Sequence, residues 1–382
     1  MSDLQKAWAK SKMGPLPDAL DEVAEQEEAL NSLGELHDAP DDDSSSASSV
    51  SSTGTIVPTA NQRLFARPQG VSRGRTLEQI PWTTYFEREL HLTPEDNPSI
   101  THHAYLTSPV DKGPLFVMHH GAGSSGLSFA VLGSEIRKRL SSAGLLAVDC
   151  RGHGSTVTGE DTPLDLTLDT LSSDLYSVIV MTQKQMKWES LPPIILVGHS
   201  LGGAVVTDLA NTGKLGTSVL GYAVLDVVEG SAMDALQSMQ NYLSTRPVGF
   251  ASLESGIDWH IRSRTIRNSI SARTSVPGLL SLDESEETGS RPWRWRTNLG
   301  GTQPFWEGWF VGLSKKFMAA KGGKLLLLAG TDRLDTELTI GQMQDIPEQT
   351  ALCLVDFYRR NDRSQLVLPP KVSDMLREGK KV

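Results

Sequence analysis

Ser200 stands in the segment Gly198-His199-Ser200-Leu201-Gly202, a Gly-x-Ser-x-Gly pattern whose surroundings are as telling as the pattern itself. Ile194 to Val197 before it is an apolar run suited to a buried strand, and Ala204 to Ala210 after it has helical composition. Strand, sharp turn and helix in that order would lift the serine hydroxyl above the carboxyl edge of a sheet. The turn would also aim the N–H of Leu201 at an incoming carbonyl oxygen. Small flanking residues are required because such a turn is strained and closely packed. A second donor is expected upstream, where the strand run Leu115 to His120 ends in Gly121-Ala122-Gly123-Ser124-Ser125-Gly126. The backbone N–H of Ala122 is assigned that role, with His119 and His120 structural and His120 pinning the loop by hydrogen bonding. Downstream, Val219 to Leu225 is another strand and closes on Asp226, a carboxylate able to orient and charge-stabilise an imidazole. Asp226 has a blander alternative as a helix N-cap. Asp332, after the strand Lys324 to Gly330, is a competing acid.

These groups need a frame. Trp82 to Leu92 and Ile100 to Leu106 suggest a leading antiparallel hairpin. An amphipathic helix at Phe129 to Leu140, a strand at Leu145 to Asp149 and a long helix at Leu164 to Thr182 follow. In the exit loop Cys150-Arg151-Gly152-His153-Gly154, Asp149 and Arg151 are expected to tie loops together. Strands alternating with helices over short connections predict an α/β fold, a mostly parallel sheet with helices on both faces. Residues 231–310 break that rhythm. Ser231 to Leu243 and His260 to Arg273 read as helices, followed by the acidic stretch Asp283 to Ser290 and the run Pro292-Trp293-Arg294-Trp295-Arg296. This is the expected cap insertion. Its Trp and Arg residues suit either a wall for a peptide end or ordinary packing. A short helix at Thr336 to Gln344 and a closing helix at Pro347 to Asn361 complete the order.

The expected organisation is therefore a tail over 1–75, a core over 76–230 and 311–362, the cap over 231–310 and a C-terminal tail over 363–382. The net charge of −10 is concentrated in residues 1–60, which hold twelve acids and three lysines. Acidic and Ser-rich, that tail buries too little apolar surface to order itself. The remainder is close to neutral, which argues against nucleic acid as a partner. Cys150 and Cys353 fit neither a metal spacing nor a disulfide framework, so a reducing compartment is expected. No run approaches the ~18 apolar residues of a membrane span, and the expected location is the cytoplasm, with the nucleus left open.

Taken together, these segments resemble the protein phosphatase methylesterases, carboxylesterases of the α/β-hydrolase fold. The resemblance is carried by Gly198 to Gly203, Leu225-Asp-Val-Val-Glu-Gly-Ser-Ala-Met-Asp-Ala-Leu236, Phe305-Trp-Glu-Gly-Trp-Phe-Val-Gly-Leu-Ser314, and Lys324 to Asp335 continuing into Leu338-Thr-Ile-Gly-Gln-Met-Gln344. It spans roughly residues 80–360. It implies removal of a methyl ester from the C-terminal leucine of the protein phosphatase 2A catalytic subunit, without metal or organic cofactor. The implied nucleophile is Ser200 and the implied acid Asp226, which leaves Asp332 outside the triad. The resemblance also implies a last strand and a Gly-His turn that supply the base. Neither is present between Gln344 and Pro347, and none of the nine histidines lies beyond His260. His199 is expected to point away from the exposed side of the turn, while His153 and His260 are weak substitutes as base. Two functions stand side by side: the serine carboxylesterase, and a catalytically impaired phosphatase-binding protein.

Overall fold

The computed structural model describes residues 77–284, 290–328 and 347–362. The N-terminal tail, Asp332, the expected helix from Thr336, the join after Gln344 and the C-terminal tail lie outside the described residues.

The chain opens on an antiparallel hairpin, β1 (Arg88–Leu92) against β2 (Ile100–Thr107), with His91 opposite His103. Trp82–Thr84, expected to extend this hairpin, is a 3-10 turn instead, set up by Pro81 at φ −65°. Then follow β3 (Leu115–His119), α1 (Ala130–Arg139), β4 (Gly144–Val148), the short β5 (Val157–Thr158), α2 (Leu168–Met186), β6 (Ile194–His199), α3 (Leu201–Thr212) and β7 (Val219–Leu225). α2 starts four residues later than expected because Asp165 binds the N–H of Thr167 and the hydroxyl of Thr170, holding the chain outside the helix.

The main sheet runs β1-β2-β4-β3-β6-β7 and ends on β11 (Gly323–Leu327), with β5 pairing β2. β4, β3, β6, β7 and β11 are parallel. β4, β3 and β6 are buried at every position and β7 at all but its first, which is why they read as unbroken apolar runs. β11 instead alternates half-buried and exposed positions and leaves Leu326 exposed. Ile194 and Leu196 pack into the cluster that also holds Leu171, Leu175 and Val178 of α2 and Ala204 and Val205 of α3. Ile195 and Val197, one step along, face the opposite cluster with Leu132 and Ile136 of α1. Leu354 and Val355 of α9 (Pro347–Asn361) close that second face. Each fully buried side chain of this kind contributes about 1.5–3 kcal/mol.

Between β7 and β11 lie α4 (Glu229–Thr245), β8 (Gly249–Phe250), α5 (Leu253–Arg262), α6 (Ser269–Ser275), β9 (Leu280–Leu282), β10 (Trp293–Trp295), α7 (Trp306–Phe310) and α8 (Leu313–Ala319). The single helix expected over His260 to Arg273 is in fact two. α5 starts earlier, at a reciprocal Ser252/Ser255 cap, and ends where the Ser263 and Thr265 hydroxyls take the His260 carbonyl. The chain then turns through Arg264 at φ 59°, and the Asn268 side chain starts α6. The aromatic run is the middle strand of a second, three-stranded sheet, β8-β10-β9, with its own core of Phe250, Leu253, Ile257 and Leu280. Glu229, at the start of α4, accepts the N–H groups of Gly312 and Ser314 and so fixes the start of α8. Two segments quoted above for the resemblance, about 80 residues apart, are thereby clasped together. Among the described residues no helix is long and apolar enough to cross a membrane. Both cysteines are free, Cys150 buried and Cys353 exposed.

Candidate active site

Ser200 joins β6 to α3 at φ 51° and ψ −120°, a backbone state that a non-glycine residue adopts only when its surroundings compel it. Two close approaches do the compelling. A Cβ on Gly202 would lie 1.9 Å from the His119 carbonyl oxygen, and one on Gly198 would lie 2.1 Å from that of Gly202. Only glycine lets α3 begin this near to the end of β3. Ser200 is half-buried rather than sealed within the core. As the first residues of a helix, Leu201 and Gly202 carry N–H groups with no partner inside it, and the positive end of the helix dipole adds to them.

Asp226 also has a positive φ, 58°, and is buried at the end of β7. β6 and β7 pair in register up to His199 opposite Leu225, so Ser200 and Asp226 are each one residue past the last pair of adjacent strands. Strands are spaced by about 4.8 Å, which brings the two residues to one sheet edge. The Ser200 N–H donates to the Leu225 carbonyl (3.1 Å), and the Asp226 N–H to that of Leu327 (2.7 Å). The N-cap alternative for Asp226 does not hold, since α4 begins at Glu229 with Val228 as its cap residue.

The loop carrying Ala122 lies directly against the serine: a Cβ on Gly121 would be 3.1 Å from both the Ser200 Cβ and the His199 Nδ1. Two histidines hold this loop. His120 Nδ1–H donates to the Gly121 carbonyl (2.7 Å), while its Nε2 accepts the Cys150 N–H (3.0 Å). His153 Nδ1–H donates to the Arg151 carbonyl (2.9 Å), and its Nε2 accepts the Gly123 N–H (2.8 Å). The second clamp was not legible in the sequence, where His153 reads as a loop residue and a weak substitute for the base. Asp149 extends the scaffold by accepting the N–H groups of Gly126 (2.7 Å) and Ser155 (2.9 Å). Arg151 pairs through two nitrogens with Asp174.

Histidine chemistry at this edge is structural. Burial lowers the pKa of His153 and drives that of His120 well below the usual imidazole value. Both rings are thus neutral, and both nitrogens of each are engaged, which removes His153 as the base. His119 is fully enclosed, its pKa lowered to about 4 by burial, with Nδ1 on the His120 carbonyl. His260, the other substitute considered, is buried in the small sheet's core among Phe250, Trp259 and Trp295. Its Nδ1 donates to the Gly256 carbonyl, and burial lowers its pKa to about 4. It is packing, not a base.

A surface cleft of about 440 Å³ opens between α4, β10 and the turn at Leu299. Arg246 lies over the Trp295 ring, 3.7 Å from its centroid, and its Nε is buried with no hydrogen-bond partner among the described residues. Trp295 is fixed in turn by Nε1–H donating to the Pro247 carbonyl (2.7 Å). Leu299, on the wall of this cleft, approaches the oxyanion loop, 3.1 Å from where a Gly123 Cβ would sit. Neither this cleft nor a larger one of about 680 Å³, lined by His91, Tyr176 and Met181, is lined by Ser200, Asp226, Ala122 or Leu201.

The alpha/beta hydrolase family model matches residues 116–360. Protein phosphatase methylesterase 1 of Gibberella zeae is 69% identical over 100% of both chains, and that of Neurospora crassa 59% identical over 100% of both. The Gibberella match runs over 401 residues against 382 in this chain, so the relative has positions without a counterpart here. Among solved structures, E-2-(acetamidomethylene)succinate hydrolase superposes with a TM-score of 0.51 at 18% identity, covering 71% of this chain and 99% of its own; it speaks to the fold alone.

Proposed function

The chain belongs to the protein phosphatase methylesterase 1 family of α/β hydrolases, and from that premise we propose that it removes the methyl ester from the C-terminal leucine of the protein phosphatase 2A catalytic subunit. One observation carries the reading. Ser200 is half-buried at a strained bend, one strand away from Asp226, with the Gly121 loop against its Cβ. In the proposed reaction Ser200 Oγ adds to the ester carbonyl, and the N–H groups of Leu201 and Ala122 hold the oxyanion. Collapse expels methanol, leaving an acyl-enzyme on Ser200. Water then releases the free carboxylate. No metal enters this sequence. The cleft beside Arg246 and Trp295 suits the peptide preceding the leucine, with the half-buried Arg246 side chain on its wall as the cation for a backbone carbonyl or an acidic side chain.

Proton transfer from Ser200 is the step that the described residues leave to solvent. Loss of a triad histidine costs on the order of 10⁶ in rate where it has been removed, while the oxyanion hole and binding retain on the order of 10³ over water. The impaired-binder alternative rests on this point alone, and the family relationship favours the esterase. The two separate on hydrolysis of methylated phosphatase and of an activated ester by this chain and by Ser200→Ala. A slow rate that vanishes with Ser200→Ala is expected. Equal rates for the two proteins would overturn the esterase reading.

A further inference from the structure

The leading hairpin holds a group of side chains that the esterase chemistry does not use. Along β1, Leu90 and Leu92 enter the core on the α2 side, so Glu89 and His91 project from the other face. His91 is directly opposite His103 of β2, their ring centroids 5.0 Å apart. One ligand atom from each of Glu89, His91 and His103 falls within a group whose members are all within 4.8 Å of one another. The Glu89 carboxylate spans the two rings, 3.2 Å from His103 Nε2 and 4.0 Å from His91 Nε2.

Those spacings match a coordination sphere. A tetrahedral zinc ion with bonds of about 2.0–2.1 Å separates its ligand atoms by roughly 3.3 Å. Glu89 and His103 already have that separation. His91 and Glu89 are exposed and need only a side-chain rotation to reach it. His103 is buried and pre-aimed: its Nδ1–H donates to Asp149 (2.8 Å), which fixes the tautomer and directs Nε2 toward the site. A carboxylate holding the far nitrogen of an imidazole is the usual support of a metal-ligating histidine. Asp149 is itself anchored by the Gly126 and Ser155 N–H groups, so the support is rigid. A simple ion pair of His103 with two carboxylates accounts for Glu89 and Asp149. It gives no role to His91, placed across the register with its ring against His103.

We propose that Glu89, His91 and His103 form a site for a divalent transition metal of the zinc class, with further coordination positions open to water. Two imidazoles and one carboxylate favour zinc, cobalt, nickel or copper over magnesium or calcium, which prefer all-oxygen ligands. Metal at His103 Nε2 replaces the proton otherwise shared with Glu89, and that proton leaves to solvent. The site is separate from Ser200 and does not depend on the proposed esterase reaction. Spacing along one strand could not show it, because one ligand comes from the neighbouring strand.

The test uses the full chain, stripped of metal with a chelator and titrated with Zn²⁺ against a chromophoric competitor, and with Co²⁺ for its visible absorption. One equivalent is expected to bind, and His91→Ala and Glu89→Gln should each weaken that binding by more than about tenfold. Both residues are exposed, so the metal-free variants are expected to melt with the parent, which separates lost ligation from lost fold. Failure to bind one equivalent, or binding that both variants retain at the parent affinity, would overturn the proposal.

Discussion

Gly202→Ala puts the bend at Ser200 to its most direct structural test. The added methyl would be 1.9 Å from the His119 carbonyl oxygen, 2.6 Å from the carbonyl carbon and 2.8 Å from the His120 carbonyl oxygen. All three are backbone atoms at the end of a central strand, with no flexible side chain to yield. Contacts under 3.0 Å essentially never occur for a real Cβ, so α3 and the β3 end must separate by about 1 Å. Overpacking of this kind costs typically 1–3 kcal/mol, and the rigid neighbours place this site near the upper end, about 3 kcal/mol. That is a large share of a total stability of about 5–15 kcal/mol. Displacing the serine against its oxyanion donors by about 1 Å should also slow its reaction on the order of 10²-fold. Urea denaturation gives the first quantity, and the rate of Ser200 phosphonylation by a fluorophosphonate the second. Gly230→Ala on α4 serves as control, since its Cβ would meet nothing within 4 Å, and its stability should change by less than about 1 kcal/mol. If Gly202→Ala unfolds at the parent urea concentration and reacts at the parent rate, the close approach of α3 to β3 is wrong.

Asp149→Asn should destabilise the chain by about 3–5 kcal/mol in urea with chelator present, because it breaks a buried ion pair and turns a donor toward backbone N–H groups; a loss below about 1 kcal/mol would remove it as the anchor of the Gly126 turn. Burial depresses the pKa of His119 and His260 to about 4. Their contribution is therefore present above the unfolded value near 6.5 and lost as pH falls from there toward 4. His260→Phe should flatten the stability–pH curve in that window by about one proton; an unchanged slope would show that His260 does not titrate there. Arg246→Ala should raise KM for methylated phosphatase about tenfold with kcat little changed, the mark of a group that binds rather than reacts. A fall in kcat at constant KM would contradict the assignment of the Arg246 cleft to the substrate peptide.

The central strands and the serine bend were legible because both follow from local rules. Parallel strands buried on both faces are runs such as Ile194 to Val197, and the glycines at 198 and 202 announce a strained turn. Position along the chain even set Asp226 at the end of the next strand, since β6 and β7 are consecutive in sequence and adjacent in the sheet. Local caps defeated the helix boundaries: Ser252, Asn268 and Asp165 decide where α5, α6 and α2 begin, and hydrophobic periodicity does not register them. The aromatic run became a strand because its partners, β8 and β9, flank it only in space. The His153 clamp on Gly123 and the His91–His103 pairing are likewise contacts between distant segments, invisible to any spacing rule.

Whether Ser200 is the nucleophile is decided by mass mapping of the chain after prolonged exposure to a fluorophosphonate. A single adduct on Ser200 is expected, absent in Ser200→Ala and unaffected by substitution of the exposed Ser99. Modification spread over other serines, with Ser200 untouched, would contradict it.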